Sequence, residues 1–388
     1  MSDGASVVGS PAYGPHGRPS LDTWLQPGRT RWSFRHTREV VPTERIRRGS
    51  TVSSLRSAPR PDLLDVVVAA WEGPATVRDL MSRDRDALVV LHGDDLVLDW
   101  LDEGGRDDEP HLVFSVTKSV TGLLAGALAG AGLLDLGARV VDYVPEVAES
   151  GFGDATLRHL LDMELSFAFV EDYTPGEDVV AYRHAVGWYP APADAPSLMA
   201  FLASRRPDGP HGDRFRYLSP GTDLMGWVLA RAAGTTWAQA VSTYLWGPMG
   251  AEADAEVTVD REGTPRAAGG LCVVPRDLAR LGRVVARGGA GVVPPWFVDD
   301  LMHAGNPATW ERGDFAESHP GGRYRSYWYS FGVDADVVCG VGIHGQLLYV
   351  DVPRQVVVVI QSSWADPDPD IGHSDNQAIA RAIAHALA

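Results

Sequence analysis

The sequence has little cysteine and no long apolar run. Its 388 residues include two cysteines, Cys272 and Cys339, and neither belongs to a C-x-x-C pair. This excludes a disulfide framework, and we expect both to be buried small apolar residues. The N-terminus lacks a basic start followed by an apolar core, and no run of about 18 apolar residues occurs. We therefore expect no membrane segment, no secretory signal and a cytoplasmic location.

Positive charge is also scarce. The chain has 34 Lys and Arg residues against 51 Asp and Glu residues, a formal net charge of −17. Such a surface repels nucleic acid and anionic lipid. One early stretch is an exception, and we interpret it as a solvated arm without a nucleic-acid function. Its basic residues are Arg45, Arg47, Arg48, Arg56 and Arg60. The expected partner is a small molecule, with no nucleic acid and no membrane, and a homodimer is a candidate assembly.

What is present is the composition of an ordinary globular protein, with 45% apolar and 22% charged residues. The length suffices for two or three compact units, or for one large domain in two parts. Residues 1–60 are rich in Gly, Pro, Ser and Arg, but Trp24, Trp32 and Phe34 within them need cover. We therefore predict an N-terminal arm packed on the body.

The rest of the chain changes between strand-like and helix-like patterns. Runs rich in β-formers flank Gly93-Asp94-Asp95 and Val352-Pro353-Arg354, which predicts two hairpins. In residues 115–254 the apolar positions have helical spacing, and Thr156 and Ser219 are candidate helix caps. A last helical pattern closes the chain.

This order predicts an α+β fold in which both ends of the chain build an antiparallel sheet flanked by helices. We assign residues 61–114 and 255–388 to this α/β domain, and residues 115–254 to an inserted, mainly helical domain. The cleft between them is the natural place for a ligand pocket.

Ser115 and Lys118, in "FSVTKSV", form an S-x-x-K pattern. Positions three apart lie on one face of a helix, so the two side-chain ends are within reach of each other. A neutral lysine amine can take the serine proton if burial or a nearby cation lowers its pKa. N–H groups at the helix start can stabilise an oxyanion. A helix cap beside a solvated lysine is the alternative, but apolar residues surround Lys118, which favours catalysis. They are Val113, Phe114, Val116, Val120 and Leu123.

Tyr217, in "FRYLSPGTDLMGW", precedes the start of a long helical pattern. A phenol on that loop can move a proton between a nucleophile and a leaving group. A packed core tyrosine is the alternative interpretation. No H-E-x-x-H, G-x-S-x-G or P-loop motif occurs, "GALAGAG" fits close helix packing and "DPDPDIGH" fits a stiff turn. We expect neither a cofactor nor a metal.

Four ordered blocks resemble the serine hydrolases related to class C β-lactamases and penicillin-recognising DD-peptidases. They are "FSVTKSVTGLLAGALAGAGLLDL", "TLRHLLDM", "YLSPGTDLMGWVLARAAGTTW" and "GGLCVVPRDLARLGRVVARGG". Within that group "LDTWLQPGRTRWSF", "EDY" followed by "GW", "STYLW" and "GIHGQLLYVD" are similar to the 6-aminohexanoate-dimer (nylon-oligomer) hydrolases and their carboxylesterase relatives. The resemblance covers nearly the whole chain. It implies a β-lactamase/transpeptidase-like fold with Ser115 as acylated nucleophile, Lys118 as its base and Tyr217 as the residue that protonates the leaving group.

The resemblance also implies an oxyanion hole. The family has a third element on a strand that faces the serine, and its match here is Gly340-Val341-Gly342 followed by Ile343. The N–H groups of Ser115 and Ile343 are then the expected donors. His344 is an alternative candidate, as the basic residue that the family often carries on this strand.

Substrate contacts are implied at four further positions. Ser219 stands where β-lactamases carry the asparagine of Tyr-x-Asn, so we expect weak or no lactamase activity. Tyr173 and Trp188 match residues that close over the substrate in the nylon-oligomer hydrolases. Arg183 stands where efficient members carry an aspartate for the substrate's ammonium group, and an arginine there would repel that group, unless it is simply solvated.

Together these features predict a serine hydrolase that forms an acyl-enzyme and cleaves short carboxylic esters, and perhaps small amides. The alternatives are hydrolysis of 6-aminohexanoate oligomers, acyl transfer, and cleavage of D-amino-acid peptides on the same fold. A binding protein without turnover is a further alternative, against which the Ser, Lys and Tyr set counts.

Overall fold

The computed structural model describes residues 17–172, 176–332, 336–367 and 370–388, with side chains from residue 373 in the last range. The α-helices in this part of the chain are α1 (Thr30–Arg35), α2 (Val77–Met81), α3 (Val116–Gly130), α4 (Leu157–Leu161), α5 (Glu177–Ala185), α6 (Leu198–Ala203), α7 (Ser219–Ala233), α8 (Trp237–Val241), α9 (Pro275–Ala286), α10 (Pro295–His303), α11 (Pro307–Glu311) and α12 (Asp370–Ala386).

The strands are β1 (Thr43–Ile46), β2 (Arg56–Ser57), β3 (Val67–Ala70), β4 (Gly73–Thr76), β5 (Arg85–His92), β6 (Asp95–Leu101), β7 (His111–Leu112), β8 (Ala255–Thr258), β9 (Leu271–Val273), β10 (Arg323–Arg325), β11 (Trp328–Ser330), β12 (Val337–Gly342), β13 (Gln346–Asp351) and β14 (Val356–Ser362). Short 3₁₀ turns occupy Thr37–Glu39, Pro61–Asp65, Val140–Asp142 and Pro145–Val147, and a π-turn covers Ser242–Trp246. In the described part of the chain, none of the helices combines the length and apolar character needed to cross a bilayer.

The central sheet has eight strands in the order β10-β11-β12-β13-β14-β5-β6-β2. Its pairs are antiparallel except for the short β2, which runs parallel to β6. Both predicted hairpins, β5–β6 and β13–β14, are present. Every residue of β13 and β14 is buried. Because strand side chains alternate between the two faces, both faces must be covered. Helices α9 and α12 pack on these strands.

A four-stranded sheet, β1-β8-β9-β7, leads into the site. The N-terminal segment contributes to both sheets, since β1 pairs with β8 and β2 pairs with β6. Trp24 and Phe34 of this segment are fully buried. The division into an N-terminal arm packed on the body, an α/β domain and a helical domain stays a prediction.

Helices α3 to α8 lie in the middle of the chain. Helix α3 is buried over most of its length and packs against α7. At Gly126 a Cβ would lie 2.5 Å from the Phe297 ring, and at Gly130 it would lie 2.3 Å from Pro294 Cγ. These close approaches explain the glycines in the "GALAGAG" region.

The two predicted helix caps have different outcomes. Thr156 caps α4, because its side chain accepts a hydrogen bond from the His159 N–H at 3.2 Å. Ser219 is not a cap, and this prediction was wrong. It is the first residue of α7, and its hydroxyl donates to Glu171 Oε1 at 2.5 Å.

Candidate active site

Ser115 lies at the N-terminus of α3, directly after β7. Phe114 before it has a φ of +44°, a left-handed conformation that is strained for a bulky residue. The Phe114 ring packs against Phe34, Trp188 and His344, with ring centroids 4.8, 5.7 and 5.0 Å away. This aromatic packing holds the strained turn, so that Ser115 is half-buried at the helix start with its hydroxyl on the cavity described below.

Lys118 is buried beneath Ser115, with 1% of its surface exposed. Its Nζ lies 2.7 Å from Ser115 Oγ and donates to the Ala268 carbonyl oxygen, also at 2.7 Å. Burial lowers the lysine pKa from 10.5 to about 7, opposed by the charge of Glu171 and assisted by that of Arg266. The amine is therefore partly neutral near pH 7, which is the form able to accept the serine proton.

A polar network, absent from the sequence prediction, positions the lysine. Asp223 Oδ1 accepts from the Ala268 N–H at 2.8 Å, and Asp223 Oδ2 accepts from the Tyr182 hydroxyl. The carbonyl of the same Ala268 accepts from Lys118. Arg266 completes the network, with its guanidinium 4.1 Å above the Trp188 ring and Nη1 4.0 Å from Asp223 Oδ2.

Tyr217 lies on the loop before α7, as predicted. Its ring is close to Lys118, with Nζ 4.9 Å from the ring centroid. Its backbone N–H donates to Asp314 Oδ2 at 2.8 Å, and its ring stacks on Tyr329 with centroids 6.4 Å apart. Tyr217 is therefore fixed on both sides, with its side chain beside the serine–lysine pair.

Glu171 is a site residue that the sequence prediction missed. One carboxylate oxygen accepts from the Ser219 backbone N–H at 2.6 Å, and the other accepts from the Ser219 hydroxyl. Burial raises the pKa of Glu171, while the charge of Lys118 opposes that increase. Ser219 itself is only 3% exposed and does not line the cavity in the described part of the chain. Ser219 therefore positions the Glu171 carboxylate at the site and does not itself contact a substrate.

The end of β12 passes directly beside the nucleophile. A Cβ on Gly342 would lie 2.6 Å from the Val113 carbonyl oxygen and 3.1 Å from the Ser115 amide nitrogen. Glycine therefore permits this close approach. Ile343 follows and is partly buried, with its neighbour Gly342 on the cavity wall.

His344 lies behind the cavity wall. It is 4% exposed, its Nδ1 lies 2.6 Å from the Trp364 carbonyl oxygen, and its ring packs against Phe34 and Phe114. Burial lowers its pKa to about 4, so the ring is neutral near pH 7. His344 is thus not a basic group facing the serine, because its environment disfavours the charged form.

Trp188 and Arg183 are also outside the cavity lining formed by the described residues. Trp188 is 3% exposed, donates its indole N–H to Thr258 Oγ1 at 3.0 Å, and packs behind Phe114. Arg183 donates a hydrogen bond to the Tyr189 hydroxyl and lies 5.1 Å above that ring. The predicted contact of Tyr173 with substrate falls outside the described residues.

The cavity beside Ser115 has a volume of about 720 Å³. Its walls come from the helical part, from the sheet, from the loop after α11 and from α12. Acidic groups are more numerous than basic ones on these walls, and no lysine or arginine lines them among the described residues. The lining residues are Trp71, Ser115, Glu171, Asp172, Tyr217, Asp314, Phe315, Ser318, His319, Tyr329, Phe331, Val341, Gly342, Ile343, His373, Ser374 and Gln377.

One sequence signal for the site was missed. Lys118 is the only lysine among the 34 Lys and Arg residues of the chain. Arginine stays protonated in proteins and cannot act as a base, whereas lysine can lose its proton when buried. All the remaining Lys and Arg positions hold arginine, so the single lysine indicates a position where a removable proton is needed.

Among the described residues, no group of three or more His, Cys, Asp or Glu residues is arranged to hold a metal ion.

Comparisons with known proteins agree with this geometry. The model of the Beta-lactamase family matches residues 74–382. The 6-aminohexanoate-dimer hydrolase of Paenarthrobacter ureafaciens is 33% identical over 377 residues, covering 96% of this chain and 95% of that protein. A solved structure from Bacillus anthracis, named for the same hydrolase, has a TM-score of 0.86 at 25% identity, covering 95% of this chain and 97% of its own. A family VIII carboxylesterase shares the fold, with a TM-score of 0.62 at 16% identity and coverage of 87% and 99%.

Proposed function

Since the chain belongs to the Beta-lactamase family and is a serine hydrolase, we propose that it cleaves short carboxylic esters through an acyl-enzyme on Ser115. The family, the fold class and the serine hydrolase activity were all predicted from the sequence. The observation that carries the proposal is the 2.7 Å contact between Ser115 Oγ and a buried lysine amine at the wall of an open cavity.

Acylation begins with neutral Lys118. As Ser115 Oγ attacks the carbonyl carbon of the ester, the amine takes the hydroxyl proton and becomes an ammonium group. The carbonyl oxygen gains negative charge, and the backbone N–H groups of Ser115 and Ile343 are the proposed donors that stabilise it. The Gly342 approach to the Ser115 amide supports this pairing.

Collapse of the tetrahedral intermediate breaks the bond to the alcohol. The departing oxygen takes a proton from the Tyr217 hydroxyl, and Lys118 returns its extra proton to that tyrosine. Water then attacks the acyl-enzyme with Lys118 again as base, which releases the acid and restores the Ser115 hydroxyl. The position of Lys118 next to both Ser115 and Tyr217 supports this route.

Small linear amides are a second candidate substrate class. The sequence suggested that Arg183 would repel a substrate ammonium group. In the structure Arg183 is bound to Tyr189, and the cavity wall instead carries Glu171, Asp172 and Asp314. An acidic wall attracts a cationic group, and a relative 33% identical to this chain is named for hydrolysis of 6-aminohexanoate dimer.

The test is turnover of a substrate panel by the parent and by Ser115→Ala. We expect hydrolysis of p-nitrophenyl butyrate to be lost in the variant, with the folded state checked by thermal unfolding. The panel includes the 6-aminohexanoate linear dimer and a chromogenic cephalosporin, and an added alcohol tests for acyl transfer. Full activity in Ser115→Ala would overturn the proposal, as would a fluorophosphonate adduct that mass spectrometry locates on another residue.

A cytoplasmic location and a homodimer are retained as proposals alongside this function. Both cysteines are buried and neither forms a disulfide, which suits a reducing compartment. Size-exclusion chromatography with light scattering tests the assembly.

A further inference from the structure

Trp71 is one of the residues that line the cavity beside Ser115. It belongs to the two-residue turn between β3 and β4, where Ala70 pairs with Gly73. Gly73 has a φ of +118°, a backbone conformation that L side chains rarely adopt. The turn therefore has a defined shape, and it brings a tryptophan to the same cavity that Ser115 lines.

This turn is anchored to the body of the protein. The Trp71 backbone N–H donates to Asp375 Oδ1 at 2.8 Å, and Asp375 on α12 is only 4% exposed. Strand β3 also packs against α12. Ser374 and Gln377, from the same helix, line the cavity with Trp71. The position of the tryptophan is thus fixed by a buried carboxylate.

The exposure of this side chain is unusual. Trp71 is 64% exposed, although a large aromatic side chain gains free energy from burial. A cavity of about 720 Å³ lies in the size range of sites for drug-sized ligands, roughly 300–1,000 Å³. A short ester at Ser115 leaves part of this space empty. A longer substrate would bury the tryptophan that the free protein leaves in water.

We propose that Trp71 forms an outer subsite that binds an apolar or aromatic group at the far end of the substrate, remote from the scissile carbonyl. This inference rests on the proposed function, because Ser115 defines the reacting end. Trp71 sets specificity by hydrophobic contact and takes no part in bond breaking. Its contribution grows with the length of the substrate.

The test compares short and long substrates by pH-stat. Ethyl acetate is the reference, ethyl octanoate extends the acyl side, and 2-naphthyl acetate extends the alcohol side. In Trp71→Ala we expect kcat/KM for ethyl acetate within twofold of the parent. For the longer substrate whose extended group reaches the β3–β4 hairpin, kcat/KM should fall about tenfold, mainly through an increase in KM. Trp71→Phe should restore most of the loss.

Trp296→Ala is the matched control, since Trp296 is 53% exposed on α10 and does not line this cavity. It should leave the long-to-short ratio unchanged. The subsite is overturned if Trp71→Ala lowers kcat/KM equally for all three substrates, or if it leaves the ratio of kcat/KM between long and short substrates unchanged. Neither result affects the proposed function, which is tested separately by the Ser115→Ala variant and by the position of the fluorophosphonate adduct.

Discussion

Two regions of this protein place a serine hydroxyl next to a basic side chain. One is the Ser115–Lys118 pair. The other is a cluster of Ser363, His111 and Asp86, the residue types of a Ser-His-Asp triad. In that cluster His111 Nε2 lies 3.1 Å from Asp86 Oδ2 and 3.5 Å from Ser363 Oγ. Judged by residue types alone, the second region is the better candidate for a nucleophile.

Geometry reverses that ranking. Both ring nitrogens of His111 face acceptors, because Nδ1 lies 2.8 Å from the Leu112 carbonyl oxygen and Nε2 faces Asp86. The Ser363 hydroxyl donates to Asp86 and is not directed at His111, whose Nε2 is 3.5 Å away. Ser363, His111 and Asp86 are each at most 5% exposed and line no large cavity among the described residues. Ser115 has both a free base and an open cavity.

The closed cluster has a structural use. Asp86 also accepts from Arg35 of α1 at 3.1 Å, and Arg35 bonds Asp102. Burial would raise the pKa of Asp86, but the contacts with His111, Arg35 and Ser363 together outweigh it, so the pKa is lowered. The cluster therefore fastens the N-terminal segment to the central sheet. The same segment supplies Phe34, which supports the strained turn at Phe114.

The largest effect is expected from Lys118→Arg. This change keeps the positive charge but replaces the lysine that contacts Ser115 Oγ by an arginine, which cannot lose its proton. We expect kcat for p-nitrophenyl butyrate to fall about 10³-fold or more, within the range of general-base contributions. Steady-state kinetics measure it, with circular dichroism to check the fold. Activity close to that of the parent would show that Lys118 is not the base, and that a usable base does not distinguish the Ser115 region from the Ser363 cluster.

Asp86→Ala should affect stability and spare the chemistry. It leaves His111 buried without its carboxylate and removes one of the two carboxylates that Arg35 binds, which we expect to cost about 3 to 5 kcal/mol in the free energy of unfolding. Ser363→Ala removes one hydrogen bond and should cost about 1 kcal/mol. Denaturant unfolding measures both.

In both variants the kcat of the folded fraction should match the parent. Loss of turnover in stably folded Ser363→Ala would contradict the structural assignment and make that cluster part of the catalytic machinery.

The smallest effect is a pair of opposite shifts in pH dependence. With the Lys118 pKa at about 7, kcat/KM should rise with pH through that value as the amine becomes neutral. Glu171 raises this pKa and Arg266 lowers it. Glu171→Gln should therefore move the midpoint to lower pH and Arg266→Gln to higher pH, each by about 0.5 to 1 unit.

A direct measurement is available because Lys118 is the only lysine. Incorporation of ε-¹³C-lysine gives one side-chain NMR resonance, whose titration reports the pKa without turnover. Shifts of both variants in the same direction would contradict the assigned charges.

The sequence was sufficient for the fold class, the Ser115–Lys118 pair and the loop position of Tyr217. Helix periodicity brings positions 115 and 118 to one face whatever surrounds them, and the alternating strand patterns predicted the hairpins. It was insufficient for Glu171 and Asp223, because each acts through a partner at a distant position, Ser219 and Ala268. Short-range spacing contains no information on such pairs.

The substrate-binding predictions were the least successful for the same reason. Trp188, Arg183 and His344 were assigned from their places in motifs, yet they pack against Phe114 or bind Tyr189 and are outside the cavity lining formed by the described residues. Trp71, by contrast, lies in the β3–β4 hairpin outside all the quoted motifs, and its contact with α12 holds it at the cavity.

The sequence by itself thus determined that a serine and a lysine share a helix face at the start of a buried helix, since local periodicity and apolar pattern are properties of neighbouring residues. Only the tertiary structure decided that this serine, and not Ser363, has a free base and an open cavity. Burial, access and the hydrogen-bond partners of a base depend on segments that are distant in the chain and meet only after folding.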